Sequence, residues 1–488
     1  VSAVDFVNTE SRHLRRHLRR IDSVFFAIAA IVSLDTIGQI ATHGAESFFW
    51  TLVLAIAFLL PYGLLIAELG STFTQEGGPY VWMRLAFGRL AAAIGTVFYW
   101  VTNPVWLGGS LALLAAATWD AYLSPIISGD LGDYLFKMAF IWIAILGAIV
   151  SLRYGKWLST AGAIVKIGLI ALFAGTVVLY ATQHGVRGDL AGLVHPTVGG
   201  LLGVVAVLMF SLVGFDAPNG AAEEMHDPRR DVPVMVAASG VVTALCYLVP
   251  VVGVLVVLPP RTITGLDGFM HAVAEVFAVY GPAQRPLLTV AAIAFIYVLF
   301  SQGCTWMIAS DRVQAIAAVD GTFPRWFGAF HPTLGTPVRV NLLSGAIATL
   351  FTIAATQLQH GAAASVFGIV LNIAVSTLLM SYLLIVPSAY RLRRLNAPRA
   401  FKVPGGRTGL LLCTGLAYGW VLLGVWQTIL PGTLEPVFGV SYDFVERWGV
   451  TRGGFELFTF ATLAVIVVLG LAGYVLARSG VENRAEHT

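Results

Sequence analysis

Three ionisable residues, Asp35, Lys166 and Asp216, sit inside long runs of apolar residues. Moving a charge out of water is costly, so an acid or a lysine in such a run is a functional candidate by default. A lysine buried in apolar surroundings can exchange a proton near neutrality. A fixed anion such as Asp35 opposes a carboxylate and favours an ammonium, unless it is itself protonated. No nucleophile–base pair, zinc-ligand spacing, P-loop or glycine-rich dinucleotide motif stands on a suitable element. The chemistry expected is therefore recognition and proton exchange, with no enzyme activity, cofactor or metal. Cys246, Cys304 and Cys413 lie in apolar segments without paired spacing and read as small buried hydrophobes.

The elements that must position these groups are interrupted helices. Asp35 belongs to Ser33-Leu34-Asp35-Thr36-Ile37-Gly38-Gln39, a polar insertion in an otherwise apolar run, and Asp216 to Val213-Gly214-Phe215-Asp216-Ala217-Pro218-Asn219. Backbone freed by such residues at membrane depth is tolerated only where it faces protein or a wet cavity, so both breaks are candidate binding sites. Asn103-Pro104, Asn372 and Ser376 are further polar groups at depth, facing a ligand or bonding a neighbouring helix. His43 reads as a helix-end residue.

Composition sets the environment. The chain has 488 residues, of which 57% are hydrophobic and 11% charged, against roughly 25% charged in an average soluble protein. Runs of about 20 apolar residues predict twelve membrane spans, at 23–43, 48–70, 90–118, 135–152, 157–181, 200–224, 234–258, 286–310, 340–357, 363–387, 409–430 and 455–477. The N-terminal arginines precede an apolar stretch too long for a signal peptide and without a small-residue cleavage site, so it is expected to stay as the first span. With the N-terminus inside, 22 of the 29 Lys and Arg fall on cytoplasmic segments, Arg312 among them, and five outside. That asymmetry predicts both termini in the cytoplasm. The basic stretch Arg391 to Arg407 reads as a positive-inside loop, with anionic lipid a second possibility. Gly268 to Tyr280 has the spacing of a short surface helix that lids the outer face.

Five blocks in chain order carry a resemblance. Phe210-Ser-Leu-Val-Gly-Phe-Asp216 with Glu223-Glu224 to Pro233 is one; the others are Ala67-Glu68-Leu69, Glu76-Gly77-Gly78 to Trp82, Asp320-Gly321 to Pro324 with Thr336-Pro337, and Arg399 to Gly406. Together they resemble the amino acid-polyamine-organocation (APC) transporters. The resemblance implies an all-α polytopic membrane protein of leucine-transporter type, with twelve helices in two inverted five-helix repeats and helices 1 and 6 broken. Its expected units are a cytoplasmic tail (1–22), the first repeat (23–181), the second repeat (200–387), helices 11 and 12 (409–477) and a cytoplasmic tail (478–488).

The same resemblance implies a substrate held between the two breaks, by Ser33, Leu34, Asp35 and Gly38 and by Phe210, Ser211, Val213, Gly214 and Asp216. Trp306 and Asn103 are expected beside them. In proton-coupled relatives a lysine at the place of Lys166 stands in for a sodium ion, so Lys166, Asp216 and Asp35 are the expected proton-coupling groups; the alternative for Lys166 is a brace on first-helix carbonyls, for Asp35 a helix cap. The first break keeps one glycine where relatives have a glycine-rich run, which favours amines or cationic amino acids over ordinary α-amino acids. The expected function is secondary active transport of an amino acid or related amine across the plasma membrane, by proton-coupled symport or exchange. A polyamine permease and a non-transporting sensor are the alternatives. Expected partners are the small-molecule substrate, protons and membrane lipid, not nucleic acid, with the chain a monomer or homodimer.

Overall fold

The computed structural model describes residues 18–485 apart from 128, 151, 189, 358–362 and 396. The expected N-terminal tail thus falls largely outside the described residues. The helices, in chain order, are α1 (Arg20–Ile31), α2 (Asp35–Ala41), α3 (Glu46–Thr72), α4 (Gly78–Phe87), α5 (Arg89–Tyr122), α6 (Leu131–Ile149), α7 (Leu152–His184) and α8 (Val198–Ser211). After a 3-10 turn (Ala217–Glu224) come α9 (Pro228–Val257), α10 (Gly268–Val276), α11 (Gln284–Val319), α12 (Val338–Gln357), α13 (Ala363–Leu392), α14 (Gly406–Ile429), α15 (Phe444–Trp448) and α16 (Arg452–Ala485).

Ten helical stretches among the described residues are long and apolar enough to cross a membrane, and α1 with α2, bent by 47° at their junction, makes an eleventh. The short apolar α8 stands apart from these. No strand occurs among the described residues beyond one isolated bridge, Leu18 to Met225. The chain is a multi-pass helical membrane protein. In lipid a helix satisfies its own backbone, which is why apolar length alone reads so directly as a span.

Where helices depart from regular winding, side chains repair the ladder. In α5, Pro104 is followed by a π-helical turn, Leu107–Leu111. There Thr352 of α12 donates to the Gly108 carbonyl at 2.7 Å. A Cβ on Gly108 would lie 2.2 Å from the Ala348 carbonyl oxygen, so the glycine is what lets α5 and α12 approach.

At the end of the bundle that carries Arg20, the residues of the sequence blocks form ion pairs. Arg20 meets Asp231 at 2.7 Å, and Arg84 meets Asp320 at 2.8 Å. Glu68 accepts from Arg393, lies 3.3 Å from Arg399 and takes the Val403 amide at 2.8 Å. Arg312 is buried between Glu76 at 2.8 Å and Glu224 at 2.6 Å. Each of the five sequence blocks thus supplies one side or both of a pair at this end, and Thr336 adds a bond to the Ile149 carbonyl at 2.8 Å.

One boundary moves here and one expectation changes. α11 runs nine residues past the expected end of its span and carries Arg312 within it, at the ion-paired end. The pairing with two acids is what allows that charge inside a helix bundle. The helix Gly268–Val276 exists but does not ride on the surface: Phe269, Met270, Val273 and Val276 are buried, and it packs against α2 and α9.

Two carboxylates on one guanidinium leave a surplus negative charge. Burial first, and Glu224 beside it, push Glu76 above the ordinary glutamate range against the opposing pull of Arg312. Removing the cation strands both acids, so Arg312→Ala is expected to destabilise the protein by roughly 3–5 kcal/mol. Glu76→Gln, which relieves the surplus, should cost far less; thermal unfolding of the two variants in detergent checks the ordering.

Candidate functional site

The break after α1 frees the carbonyls of its last turn, which have no intrahelical donors. The Ile28 carbonyl keeps a backbone partner, the Val32 amide at 3.1 Å. The next three each receive a side chain from another helix. Lys166 of α7 donates to Ala29 O at 3.0 Å, Trp306 of α11 to Ala30 O at 2.8 Å, and Tyr247 of α9 to Ile31 O at 2.9 Å. Lys166 also donates to Val32 O, and Tyr247 OH accepts the Ser33 amide at 2.8 Å. The side-chain amide of Gln302 joins the cluster, its oxygen 3.4 Å from Lys166 and its nitrogen donating to Ser33 Oγ.

The second break is built around an acid. Asp216, wholly buried, accepts three phenol hydroxyls: Tyr62 of α3, Tyr99 of α5 at 2.7 Å and Tyr382 of α13 at 2.5 Å. Tyr62 OH in turn accepts the Gly214 amide at 3.1 Å. Gly214 has φ +129°, and a Cβ there would lie 3.0 Å from Ile31 and 3.1 Å from Trp306. The two breaks therefore touch, and only glycine allows both the dihedral and the approach.

Where they meet, a cavity of about 10 Å³ is lined by Ala30, Ile31, Ser33, Asn103, Trp106, Phe210, Val213, Trp306 and Leu378. It has room for about one water and none for an organic substrate. One helical turn further along α8 and α13, Val207 and Val375 line a second cavity of about 750 Å³. This large cavity opens at the end of the bundle opposite the ion pairs. The layer between the two is aromatic: Phe210 packs edge-on against Trp106, ring centres 5.6 Å apart. Trp106 donates to Asp35 Oδ2 at 3.0 Å, while Asp35 Oδ1 is buried without a partner.

Of the residues expected at the site, Ser33, Asn103, Phe210, Val213 and Trp306 line the small cavity together. Asp35 lies behind Trp106; it is the first residue of α2 but makes no capping bond. Ser211 bonds Thr36 at 2.9 Å and so joins the two breaks away from the cavity. Leu34 and Gly214 are buried in the packing around it. Gly38 is elsewhere: the place of its Cβ is 2.8 Å from the Thr264 carbonyl oxygen, which makes it a close-packing glycine against the loop before α10. Asn372 donates to the Thr428 carbonyl at 2.8 Å and lines the large cavity. Lys166 takes the brace geometry.

Sequence reading missed Trp106, Tyr62, Tyr99, Tyr247, Tyr382 and Gln302. The only available signal was general: a buried Tyr or Trp usually finds a partner for its polar tip.

The chain matches the amino acid permease family over residues 18–442. It is 27% identical over 417 residues to the probable agmatine/putrescine antiporter AguD of Lactococcus lactis, covering 84% of this chain and 88% of that protein. An uncharacterised transporter of Legionella pneumophila is 26% identical, over 88% of this chain and 92% of its own length. The branched-chain amino acid permease BcaP of Bacillus subtilis is 23% identical, over 84% and 90%.

The braces at the first break can be tested one at a time. Tyr247→Phe leaves the Ile31 carbonyl and Ser33 amide without their partner and is expected to lower stability by roughly 1–3 kcal/mol. Gly214→Ala should do more damage, because backbone and packing both resist it. Thermal unfolding with wild type as reference measures both. A family match over most of the chain, with its motif blocks stitched at one end and two touching helix breaks at the centre, makes this protein a member of the amino acid permease family of APC transporters, not an enzyme.

Proposed function

We propose that the protein is a secondary transporter of an aliphatic amine or amino acid, working by alternating access with proton coupling or exchange. The observation that carries this reading is the small closed cavity at the contact of two broken helices. It lies between a wide cavity at one end and, at the other, the tyrosine-bonded Asp216 and the Arg312 pairs. Such an arrangement is a substrate site caught with one path shut and the other blocked by an aromatic layer.

In this reading the ten long spans, the α1–α2 pair and α8 with its 3-10 continuation make twelve, arranged as two inverted five-helix units (23–181 and 200–387) plus helices 11 and 12 (409–477). The ion-paired end, rich in Arg, faces the cytoplasm of the cell membrane and carries both tails, 1–22 and 478–488. Substrate enters from the large cavity when Phe210 and Trp106 part. Trp106 then releases Asp35, whose unpartnered oxygen receives an ammonium, while Ile31, Val213 and Leu378 hold the aliphatic chain. Ser33, Asn103 and Trp306 complete the walls. Lys166 braces the first break, and Asp216 is the acid whose tyrosine bonds must be broken and remade as the inner path opens. Agmatine and putrescine, for which AguD is named, have the amine chemistry that an acid at position 35 favours.

Exchange in proteoliposomes tests the reading. Wild type loaded with putrescine should take up labelled putrescine or agmatine, and Asp35→Asn should reduce that uptake at least tenfold. Uptake of leucine alone, unchanged in Asp35→Asn, would transfer the assignment to apolar amino acids. In Lys166→Met, transport that keeps its wild-type pH dependence identifies the lysine as a brace; transport that loses it identifies a coupling group.

A further inference from the structure

The large cavity contains features that the central site does not use. Its wall beyond α8 is formed by the end of α14 and the segment leading to α15, where Gln427 and Glu435 face each other. Both are buried, at 4% and 3% exposure. Gln427 Nε2 donates to Glu435 Oε1 at 3.0 Å and to the Leu202 carbonyl at 3.0 Å, which uses both of its hydrogens. What is left over is acceptor only: Gln427 Oε1 and Glu435 Oε2 each lack a partner. The species that satisfies two adjacent acceptors, one of them a carboxylate, and brings no acceptor of its own is an ammonium or a guanidinium.

The rest of the cavity has the matching sign. Glu46, Asp443 and Glu446 line it as well, against one cation, Arg447. Arg447 is engaged with His43 and lies 5.7 Å from the centre of the Tyr442 ring. Burial, and after it the Arg447 guanidinium, move His43 below its ordinary range, so the histidine adds no positive charge at neutral pH. A concave wall of net negative charge concentrates cations at its mouth.

We infer that Glu435 and Gln427 form a second amine site in the large cavity, which holds the ammonium end of an aliphatic amine before it reaches the centre. This rests on the amine reading above. Eight residues of α8 separate Leu202, whose carbonyl touches Gln427, from Phe210 at the central cavity, about 12 Å along the helix. That exceeds the reach of a four-carbon chain between two amino groups, so the two sites hold separate molecules. Between them Ala206, Val207, Leu371 and Val375 give the methylenes an apolar path.

Calorimetric titration of putrescine into the full chain in lipid nanodiscs, at low salt and neutral pH, tests the inference. Wild type should bind two molecules per chain. Glu435→Gln should bind one, and Asp35→Asn should keep the class that Glu435→Gln loses. Glu435→Asp, an acid one methylene shorter, should weaken that class at least tenfold; it serves as the second variant if Glu435→Gln does not fold. Binding unchanged in both folded Glu435 variants overturns the outer site. If a single class is then abolished by Asp35→Asn, the amine reading survives without it. Absence of putrescine binding to wild type overturns both.

Discussion

A helix broken inside a membrane releases carbonyl and amide groups that no solvent can reach, and every one of them needs a partner from the protein. Three consecutive carbonyls of α1, Ala29 to Ile31, are met by a lysine, a tryptophan and a tyrosine from three other helices. This requirement orders much of the structure. α7, α9 and α11 each deliver one of those donors to α1, and Trp306 of α11 also lines the central cavity, whose other walls come from the two breaks, α5 and α13. Trp306 therefore serves as both brace and wall: its N–H donates to Ala30 and its ring lines the cavity.

The second break solves the problem the other way round. There a carboxylate is the group to be satisfied, and Asp216 gathers hydroxyls from α3, α5 and α13. Tyr62 then passes its own acceptor capacity to the Gly214 amide, which ties acid and freed backbone into one network. Because the donors come from three helices, the network resists piecemeal opening. A movement of the segment after α8 strains all of the bonds together, which is how a packed core produces discrete states rather than continuous drift.

The breaks themselves were legible in the sequence, since Gly, Pro, Asp and Asn in an apolar run contradict the medium around them. Eleven of the twelve expected spans were legible too, as ten long helices and the α1–α2 pair, because apolar length is what a bilayer demands; the run at 200–224 holds only the short α8 and a 3-10 turn. The partners were not. Tyr62, Tyr99, Tyr247 and Tyr382 look like packing aromatics in their own helices, and the groups they serve are far away in the chain: 154 residues from Tyr62 to Asp216, 216 from Tyr247 to Ile31. The end of α11 was set too early for a related reason. A cation neutralised by Glu76 and Glu224 lets the helix run on past the point where a reading of hydropathy alone ends it. The motif blocks carried the family, but their physical work, clamping one end of the bundle, emerged only from the contacts.

The wall that carries Glu435 and Gln427 belongs to the last part of the chain, outside the elements that brace the two breaks. Its residues can change charge or size without disturbing the bonds to α1 or to Asp216. The molecule is thus divided between a mechanical centre, where nearly every polar group is committed, and a mouth that is free to vary. Two proteins sharing that centre can differ in which solutes they gather, so the choice of cargo has room to diverge while the machinery that moves it stays intact.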